Sequence, residues 1–512
     1  MDIVQFQKSP TLTSNEEKLT KFSEETISED ENNQNSQSQS LNTITTNNDN
    51  TCNKNEKDSK IIKKNNNNIF SSYSECTESS ENDINSLNQN QQQIQQQYPF
   101  MLFKEMIDTR RYIKQQPKII VDLSFTKYDI VKHVCEDLFI YDVQYNHNVK
   151  SNFNLQWIDT YLQIEDYKRM LSFQKINHFP GSQQLGKKNL LSANLFKMRN
   201  SFPQNYNFYP LTWILPQQYE QLKRFHYQSL KQKPYYIVKP EACSQGKGIF
   251  LTNTIDQLQN KEHFVIQEYI KKPFLIDGLK FDLRLYVLIK NINPLKIFLF
   301  QEGLARFATI LYQEPNKNNQ NNLNIHLTNY SLNKKHPKFI QNQSIQHDDI
   351  GHKRSFSSVL KHLQEQGHNV ELLMMEIRQI IVKSIISAQP HISNLQKTYQ
   401  QRNDGNEMCF EIFGFDIMID ENLQPFLLEV NHTPSFSTDS PLDFIIKRNL
   451  IIDTLNLINT SNKQKQKYIQ LILFNKQIIY IKKKILQRKS IIINTQKIFY
   501  QKKILLFERR YR

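Results

Sequence analysis

The chain has 512 residues, enough for two or three domains, and a formal net charge of +15 at pH 7. Its five cysteines are widely scattered without a CxxC motif, which argues against a disulfide framework and predicts a reducing compartment with buried or inert thiols. No segment approaches the ~18–20 apolar residues of a spanning helix, and the first residues lack the pattern of a signal peptide. We therefore expect a soluble intracellular protein without a membrane span.

The charge is distributed unevenly along the chain. Residues 1–98 are dominated by Asn, Gln, Ser, Glu and Lys and carry 15 acidic against 8 basic residues, and their few apolar side chains predict a disordered acidic tail. Residues 463–512 carry 15 Lys or Arg and the single acid Glu508; their pattern leaves open whether they form a basic helix or stay disordered. This polarity predicts an anionic partner: nucleic acid, lipid or an acidic protein.

Ordered structure is expected to begin near Tyr98. Residues 118–140 start as a strand and continue with helical spacing. The aromatic, proline-punctuated stretch at 208–216 is typical of a domain boundary, with Trp213 in the core.

Residues 235–251, YYIVKPEACSQGKGIFL, predict a strand, a glycine loop and a second strand. Gly246 and Gly248 permit close backbone approach, and Lys239 and Lys247 can neutralise phosphate oxygens. The loop is not a Walker A motif, because no GxxxxGK[ST] leads into a helix. A plain hairpin with a glycine turn is the alternative.

The next strands combine buried faces with charged faces. EHFVIQEYI at 262–270 is a buried strand, and in the run that follows, Lys280, Asp282 and Arg284 alternate with apolar residues. GLARFATILY at 303–312 then places Arg306 on another apolar strand, and Thr328, Asn329 and Ser331 follow as candidate polar contacts. Charges that recur on separate half-buried strands favour a binding site over solvated surfaces.

Two helices and a hairpin complete the pattern. Residues 370–389 show the i, i+3, i+4 spacing of a core helix, and 440–458 predict an amphipathic closing helix. Between them, two apolar runs flank the turn Asp420-Glu421-Asn422, which predicts a β-hairpin over 410–436.

The hairpin carries a candidate metal site. Glu429 and Asn431 project to one face, because side chains alternate across a strand, and Asp416 comes from the partner strand. Two carboxylates and an amide oxygen suit a hard cation such as Mg²⁺, which commonly bridges substrate phosphates. The alternative is an edge hairpin whose polar residues face water.

From about Lys175 to Ile458 the chain resembles the tubulin tyrosine ligase-like family of ATP-grasp amino-acid ligases. The resemblance rests on ordered motifs: YIVKP…SQGKGI, FVIQEYIKKPFLIDGLKFDLRLYVL, EGLARFAT, HLTNYSLNK and GFDIMID…LLEVNHTPSF. KINHFPG, the FLIDGLKFDLR run and NHTPSFSTDSPLD look most like the polyglutamylases, and His432 after Asn431 is similar to the chain-elongating type.

The resemblance implies an α+β fold in which two antiparallel-sheet lobes sandwich the nucleotide, with a smaller N-terminal α/β domain and disordered termini. The boundaries would be the tail at 1–98, an N-terminal ligase domain at 99–225, a central lobe at 226–278, a C-terminal ATP-grasp domain at 279–460 and a basic extension at 461–512.

The resemblance also implies roles for individual residues. Asp416, Glu429 and Asn431 would hold Mg²⁺, and Glu429, Arg306 and Lys239 would be catalytic. The incoming glutamate would meet Arg306, Ser331 and Lys353, whereas Gln245 and His432 would touch the acceptor chain. ATP would contact Lys239, Gln245, Gly246, Gln267, Glu268, Tyr269, Ile270, Lys280, Phe281, Asp282, Thr328 and Asn329.

The implied reaction is ATP-dependent ligation of glutamate to glutamates on the acidic C-terminal tails of tubulin, through an acyl phosphate. The expected partners are microtubules and free L-glutamate, with no nucleic acid, since a nucleic-acid binder would not explain the paired carboxylates. A monomer in the cytoplasm on the cytoskeleton is expected, and the family suggests a cilium, axoneme or basal body. Ligation of glycine or tyrosine and a non-catalytic microtubule-binding scaffold stay open as alternatives.

Overall fold

The computed structural model describes Val4–Gln5 and residues 118–510, apart from 139–140, 146–151, 230, 232–233, 242–245, 260–262 and 400–406. Except for Val4–Gln5, which form strand β1, the predicted acidic tail over 1–98 lies outside the described residues.

A four-stranded parallel sheet with two helices occupies residues 119–176. Its elements are β2 (Ile119–Phe125), α1 (Asp129–Asp137), β3 (Tyr141–Gln144), β4 (Leu155–Ile158), α2 (Ile164–Arg169) and β5 (Lys175–Ile176). The strand order is β3–β2–β4–β5. The predicted change from a strand to helical spacing within 118–140 is confirmed, since β2 runs directly into α1, whose Ile130, Val131 and Val134 are buried.

A second sheet follows, and all of its strands are antiparallel. The elements are α3 (Gln183–Gly186), α4 (Lys188–Ser201), β6 (Thr212–Ile214), α5 (Tyr219–Gln228), β7 (Tyr236–Pro240), β8 (Phe250–Thr252) and β9 (Phe264–Glu268), with the strand order β6–β9–β7–β8. Strands β7 and β8 pair from Tyr236 with Thr252 to Val238 with Phe250, which confirms the two strands predicted around the glycine loop. Trp213 is buried against Phe225 and Tyr236, as expected of a core residue.

The main sheet is built from the rest of the chain. Its strands pair in the order β1–β12–β11–β14–β15, with β10 added to β11 and β13 added to β12, and only the pairing of β1 with β12 is parallel. In chain order the elements are β10 (Leu275–Ile276), β11 (Leu279–Ile292), β12 (Leu295–Phe307), α6 (Leu323–His326), α7 (Tyr330–Asn333), β13 (Lys353–Ser355), α8 (Phe356–Glu365), α9 (Val370–Tyr399), β14 (Glu411–Ile419), β15 (Pro425–Asn431), α10 (Pro441–Ile458) and α11 (Asn462–Arg510).

Strand β11 explains how the sheet is covered. Its odd positions, such as Leu283 and Leu285, share a hydrophobic cluster with Ile377 of α9, whereas Leu288 at an even position shares a cluster with Leu450 of α10. The charged residues at earlier even positions lie beyond that apolar cover. Because side chains alternate along β11, the strand packs against a core on each face, and its first residues present charged side chains.

Both helices predicted around the hairpin are confirmed, α9 being longer than the predicted 370–389. The buried stripe of α10 includes the charged residues Asp443 and Lys447, which amphipathic spacing alone did not lead us to expect. The hairpin itself is confirmed as β14–β15, whose turn is closed by Asp420 Oδ1 accepting from the backbone amides of Asn422 and Gln424 at 2.9 and 2.8 Å.

The C-terminal segment differs from the prediction of disordered termini, because Asn462–Arg510 forms helix α11. Residues 461–512 contain no glycine or proline, so nothing in the backbone chemistry breaks a helix there. Within the described part of the chain, no helix has both the length and the apolar composition needed to cross a membrane.

Candidate active site

A cavity opens where the second antiparallel sheet faces the main sheet, and side chains from both sheets line it. The lining residues are Ile237, Lys239, Ile249, Gln267, Glu268, Tyr269, Ile270, Lys280, Asp282, Arg306, His326, Leu327, Thr328, Asn329, Asp416, Met418, Leu428 and Glu429. Apolar walls with convergent charged groups are the usual make-up of a small-molecule site.

Strand register concentrates the charges at one end of this cavity. Pairing of β11 with β12 sets Asp282 opposite Arg306, and pairing of β11 with β14 sets Arg284 opposite Asp416. Arg306 Nε donates to Asp282 Oδ1 at 3.0 Å, and Arg284 Nε and Nη2 donate to the two oxygens of Asp416 at 2.5 and 2.9 Å. Arg306 also lies 2.8 Å from Asp416, so the four groups form one neutral network.

Burial by itself would raise the pKa of the Asp416 carboxyl. The guanidinium groups of Arg284 and Arg306 outweigh that effect and hold the pKa well below its usual range. Asp416 is therefore ionised throughout the physiological pH range, as a metal ligand must be.

Two buried lysines also line the cavity. Lys239 Nζ donates to Gln267 Oε1 at 2.8 Å, and Lys280 Nζ donates to the Tyr269 hydroxyl at 2.8 Å. Burial lowers the pKa of both lysines, against the opposing effect of Glu429 on Lys239 and of Asp282 on Lys280, and brings that of Lys280 to about 7. Two poorly solvated ammonium groups would gain from an anionic ligand.

The hairpin brings the three predicted metal ligands together. A bulge in the β14–β15 pairing follows Asp416, which lies opposite Glu429, and Gly414 lies opposite Asn431. Asn431 Nδ2 lies 3.3 Å from Asp416 Oδ2 and 3.3 Å from Glu429 Oε1. A half-turn of the amide presents its oxygen to the same point, so the set fits a hard divalent cation. Within the described residues, no group of three or more His, Cys, Asp or Glu side chains could hold a metal.

The nucleotide contacts implied by resemblance are distributed as follows. Phe281 points away from the cavity, since its ring is buried in the core and stacked on Phe307 with centroids 5.2 Å apart. Gly246 is next to Asn329, whose Cγ would lie 3.3 Å from a Cβ added to the glycine. Gln245 lies outside the described residues. Nine of the twelve residues line the cavity: Lys239, Gln267, Glu268, Tyr269, Ile270, Lys280, Asp282, Thr328 and Asn329.

The substrate contacts implied by resemblance are more scattered. Arg306 lines the cavity, and the β12–β13 register places Lys353 directly opposite it, with the Lys353 ammonium buried against Asp443. Ser331 lies in α7, outside the lining set. His432 follows β15 and stacks on Tyr161, with ring centroids 4.6 Å apart.

A smaller second cavity shares Lys239, Leu428 and Glu429 with the first. Gly186, Lys188 and Asn431 also line it. Gly186 is directly beside His432: a Cβ on this residue would lie 2.1 Å from His432 Nδ1. Glu429 therefore lines both cavities.

Sequence reasoning did not assign a role to two further residues. Arg284 stood in the charged alternation of β11, but only the sheet pairing shows that it neutralises Asp416. His326 opens the HLTNYS segment, lines the cavity, and lies 3.1 Å from the Tyr269 hydroxyl. Burial, followed by the charge of Lys280, lowers the pKa of His326 to about 4, so it is neutral at pH 7.

The chain is similar to several known proteins. The chain is 46% identical over 379 residues to a "Probable beta-tubulin polyglutamylase" of Tetrahymena thermophila, covering 74% of this chain and 31% of the relative. It is 40% identical over 357 residues to "Tubulin polyglutamylase TTLL6" of Mus musculus (70% of this chain, 42% of the relative) and 41% identical over 363 residues to "Tubulin polyglutamylase TTLL13" of the same species (70% and 44%). The chain thus spans less than half the length of these relatives.

The family model described as the tubulin-tyrosine ligase family matches residues 165–467, which is more than half of the 512 residues and includes both cavities. The chain belongs to the tubulin-tyrosine ligase family.

Proposed function

We propose that this chain is an ATP-dependent ligase module that adds glutamate to glutamate residues on the acidic C-terminal tails of tubulin. The observation that carries the proposal is the first cavity, which is lined by two buried lysines, Lys239 of β7 and Lys280 of β11, and by the carboxylates of Asp416 and Glu429, both of which contact Asn431. The names of the relatives, all tubulin polyglutamylases, supply the substrate class.

In this proposal ATP occupies the first cavity between the two sheets. Lys239 and Lys280 contact phosphate oxygens, and the end of β9 with the two residues after it, Gln267 to Ile270, meets the base. Asp416, Glu429 and Asn431 would hold Mg²⁺, which would neutralise negative charge on the phosphoryl group that is transferred. Gly246 beside Asn329 allows the glycine loop to approach the phosphates closely.

ATP supplies the chemistry that a carboxylate lacks, because transfer of its γ-phosphoryl group to the acceptor carboxylate creates a leaving group. The incoming amine then displaces phosphate and forms an amide bond. The residues of this chain contribute mainly by orienting and neutralising charged reactants. Arg306 and Lys353 lie opposite each other in the β12–β13 register and receive the carboxylates of the incoming glutamate.

The acceptor chain enters through the second cavity, next to Gly186, Lys188 and His432. Glu429 lines this second cavity as well as the nucleotide pocket, so an acceptor bound there would lie next to the nucleotide. Helix α11 adds a long cationic surface, and the exposed residues along it include Lys467, Lys476 and Lys482. Such a surface would attract and retain acidic tails in a salt-dependent way.

Location on the cytoskeleton follows from tubulin as substrate, and a cilium, axoneme or basal body stays a prediction from the family. A deletion of residues 463–512 tests the role of α11. If microtubule co-sedimentation at low salt is unchanged, α11 does not bind the tails.

The deciding experiment is mass spectrometry of tubulin tails after incubation with ATP, Mg²⁺ and L-glutamate, with glycine and tyrosine in parallel. We expect glutamate-mass ladders that vanish in Glu429→Gln. Increments with glycine or tyrosine instead would keep the fold and change the substrate. Absence of any product, despite ATP binding, would refute tubulin ligation and favour the scaffold.

A further inference from the structure

Helix α10 brings a fully buried aspartate up to Lys353. Asp443 Oδ2 lies 2.6 Å from Lys353 Nζ, and Asp443 Oδ1 lies 2.8 Å from Lys447 Nζ. The side chains of Lys353, Asp443 and Lys447 are 7%, 0% and 6% exposed. We name these three residues the α10 triad.

The start of α10 fixes the position of the Asp443 carboxylate. Ser440 is the N-cap residue; the Asp443 amide donates to Ser440 Oγ at 3.2 Å, and Ser440 Oγ donates to Asp443 Oδ2 at 3.0 Å. Proline at the first helical position, Pro441, adds a preset backbone angle. The carboxylate is therefore held by the helix terminus and does not depend on Lys353 for its place.

Lys353 is in turn held from three sides. Its backbone pairs with Arg306 across β12 and β13, its ammonium contacts Asp443, and its Nζ lies 3.5 Å from the ring centroid of Tyr330. A lysine has four rotatable bonds and loses much freedom when its head group is fixed. Here that loss is incurred on folding, before any ligand binds.

The α10 triad carries one more positive than negative charge in a buried setting. The nearest further acid, Asp439, is paired with Lys334 at 3.3 Å in a more exposed position, and the Tyr286 phenol lies beside Lys447. Buried excess charge is costly unless a partner neutralises it. A ligand carboxylate that reaches Lys353 from the Arg306 side would supply the missing charge.

We propose that Asp443 is a positioning residue that holds Lys353 for a carboxylate of the incoming amino acid, an inference that rests on the proposed function. Burial lowers the pKa of Lys353 and Asp443 opposes that shift, so removal of Asp443 also favours the neutral amine. The groups that face Lys353 are Asp443, Lys447, Asp439 and the ring of Tyr330.

The test compares Asp443→Asn with Asp453→Asn in the full chain. Asp453→Asn is the matched control, because it makes the same chemical change further along the same helix, outside the α10 triad. We expect Asp443→Asn to raise the KM for L-glutamate about tenfold or more, as small misplacements of a binding group do. The KM for ATP should stay within about twofold in both variants, and Asp453→Asn should leave the KM for L-glutamate unchanged.

A double-mutant cycle separates positioning from general damage. In a Lys353→Met background, Asp443→Asn should raise the KM for glutamate no further, since the group that it positions is gone. If Asp443→Asn does not fold, Asp443→Glu carries the same cycle, because it keeps the charge and moves it by one methylene. The proposal would be overturned if the KM for glutamate were unchanged in Asp443→Asn or in Lys353→Met. It would also be overturned if Asp443→Asn raised this KM equally in the wild-type and the Lys353→Met backgrounds.

Failure of the proposed function gives a different result. If the wild-type chain ligates no amino acid, calorimetric titration of L-glutamate into the chain loaded with a non-hydrolysable ATP analogue makes the same comparison without turnover. Glutamate binding that weakens in Asp443→Asn and not in Asp453→Asn supports the positioning role. Binding that is absent in the wild type, or equal in both variants, refutes it. L-Glutamine as competitor then identifies which carboxylate meets Lys353.

Discussion

Replacing Asp416 by asparagine removes one of two carboxylates that neutralise a pair of buried guanidinium groups. The side chains of Arg284, Arg306 and Asp416 are 12%, 11% and 2% exposed. Asparagine keeps the shape of the side chain and one acceptor oxygen. Its amide nitrogen, however, is a donor that would face the N–H donors of one arginine.

Breaking a buried ion pair from one side costs ~3–5 kcal/mol, because the remaining charge stays buried without a partner. The matched control is Glu421→Gln, which makes the same chemical change in the pair of Glu421 with Lys272, whose side chains are 48% and 63% exposed. Exposed pairs contribute about 1 kcal/mol at most. We therefore expect a difference of at least ~2 kcal/mol between the two variants.

The measurement is equilibrium urea unfolding followed by tryptophan fluorescence, since both tryptophans, Trp157 and Trp213, are buried. The low folded-state pKa of Asp416 stabilises the protein above the unfolded carboxyl value of about 3.9, and this contribution is lost as the pH falls through the folded value. As the pH is lowered, the free energy of unfolding of Asp416→Asn should therefore fall less steeply than that of the wild type. A loss in Asp416→Asn no larger than that in Glu421→Gln would refute the network argument.

Three further results are expected. Because the pKa of Lys280 is lowered to about 7, ATP affinity should fall as the pH rises through that value, and Lys280→Met should remove this pH dependence in calorimetric titrations. The unfolded chain keeps the Lys280 proton to about pH 10, so the free energy of unfolding without ligand should rise from about pH 7 to about pH 10. Gly186→Ala should displace His432, because the added Cβ would lie 2.1 Å from His432 Nδ1. This variant should raise the KM for an acidic acceptor peptide but not the KM for ATP. An unchanged KM for the acceptor would show that the His432 ring does not contact the acceptor. The thiols of Cys135 and Cys409 are buried, and burial raises the pKa of Cys135 to about 12, so neither should react with a disulfide reagent before unfolding. Rapid labelling of either cysteine in the native chain, located by peptide mapping, would contradict this.

Local sequence pattern was sufficient wherever neighbours along the chain decide the structure. The hairpin turn at Asp420 to Asn422, the strands around the glycine loop and the helices at 370–389 and 440–458 follow from period, turn chemistry and helix caps. The grouping of Asp416 with Glu429 and Asn431 also follows, since alternation across one hairpin fixes their shared face.

The pattern was insufficient for the long basic end. Apolar and basic residues alternate there without a clear period, so periodicity did not predict a helix, and helix α11 is consistent with the absence of glycine and proline. Hydrophobic periodicity indicates which face of a helix is buried, so it cannot predict a helix that is exposed over most of its surface.

The sequence by itself thus indicated the family, the strands that carry charged side chains, and the grouping of Asp416, Glu429 and Asn431 at the hairpin. The tertiary structure decided which charges are partners: Arg284 with Asp416, and Lys353 with Asp443 ninety residues further along the chain. Such pairs depend on strand register and on the docking of α10, which bring distant residues within 3 Å of each other. Sequence spacing carries no record of those contacts, because burial and pairing are properties of the assembled sheets and helices.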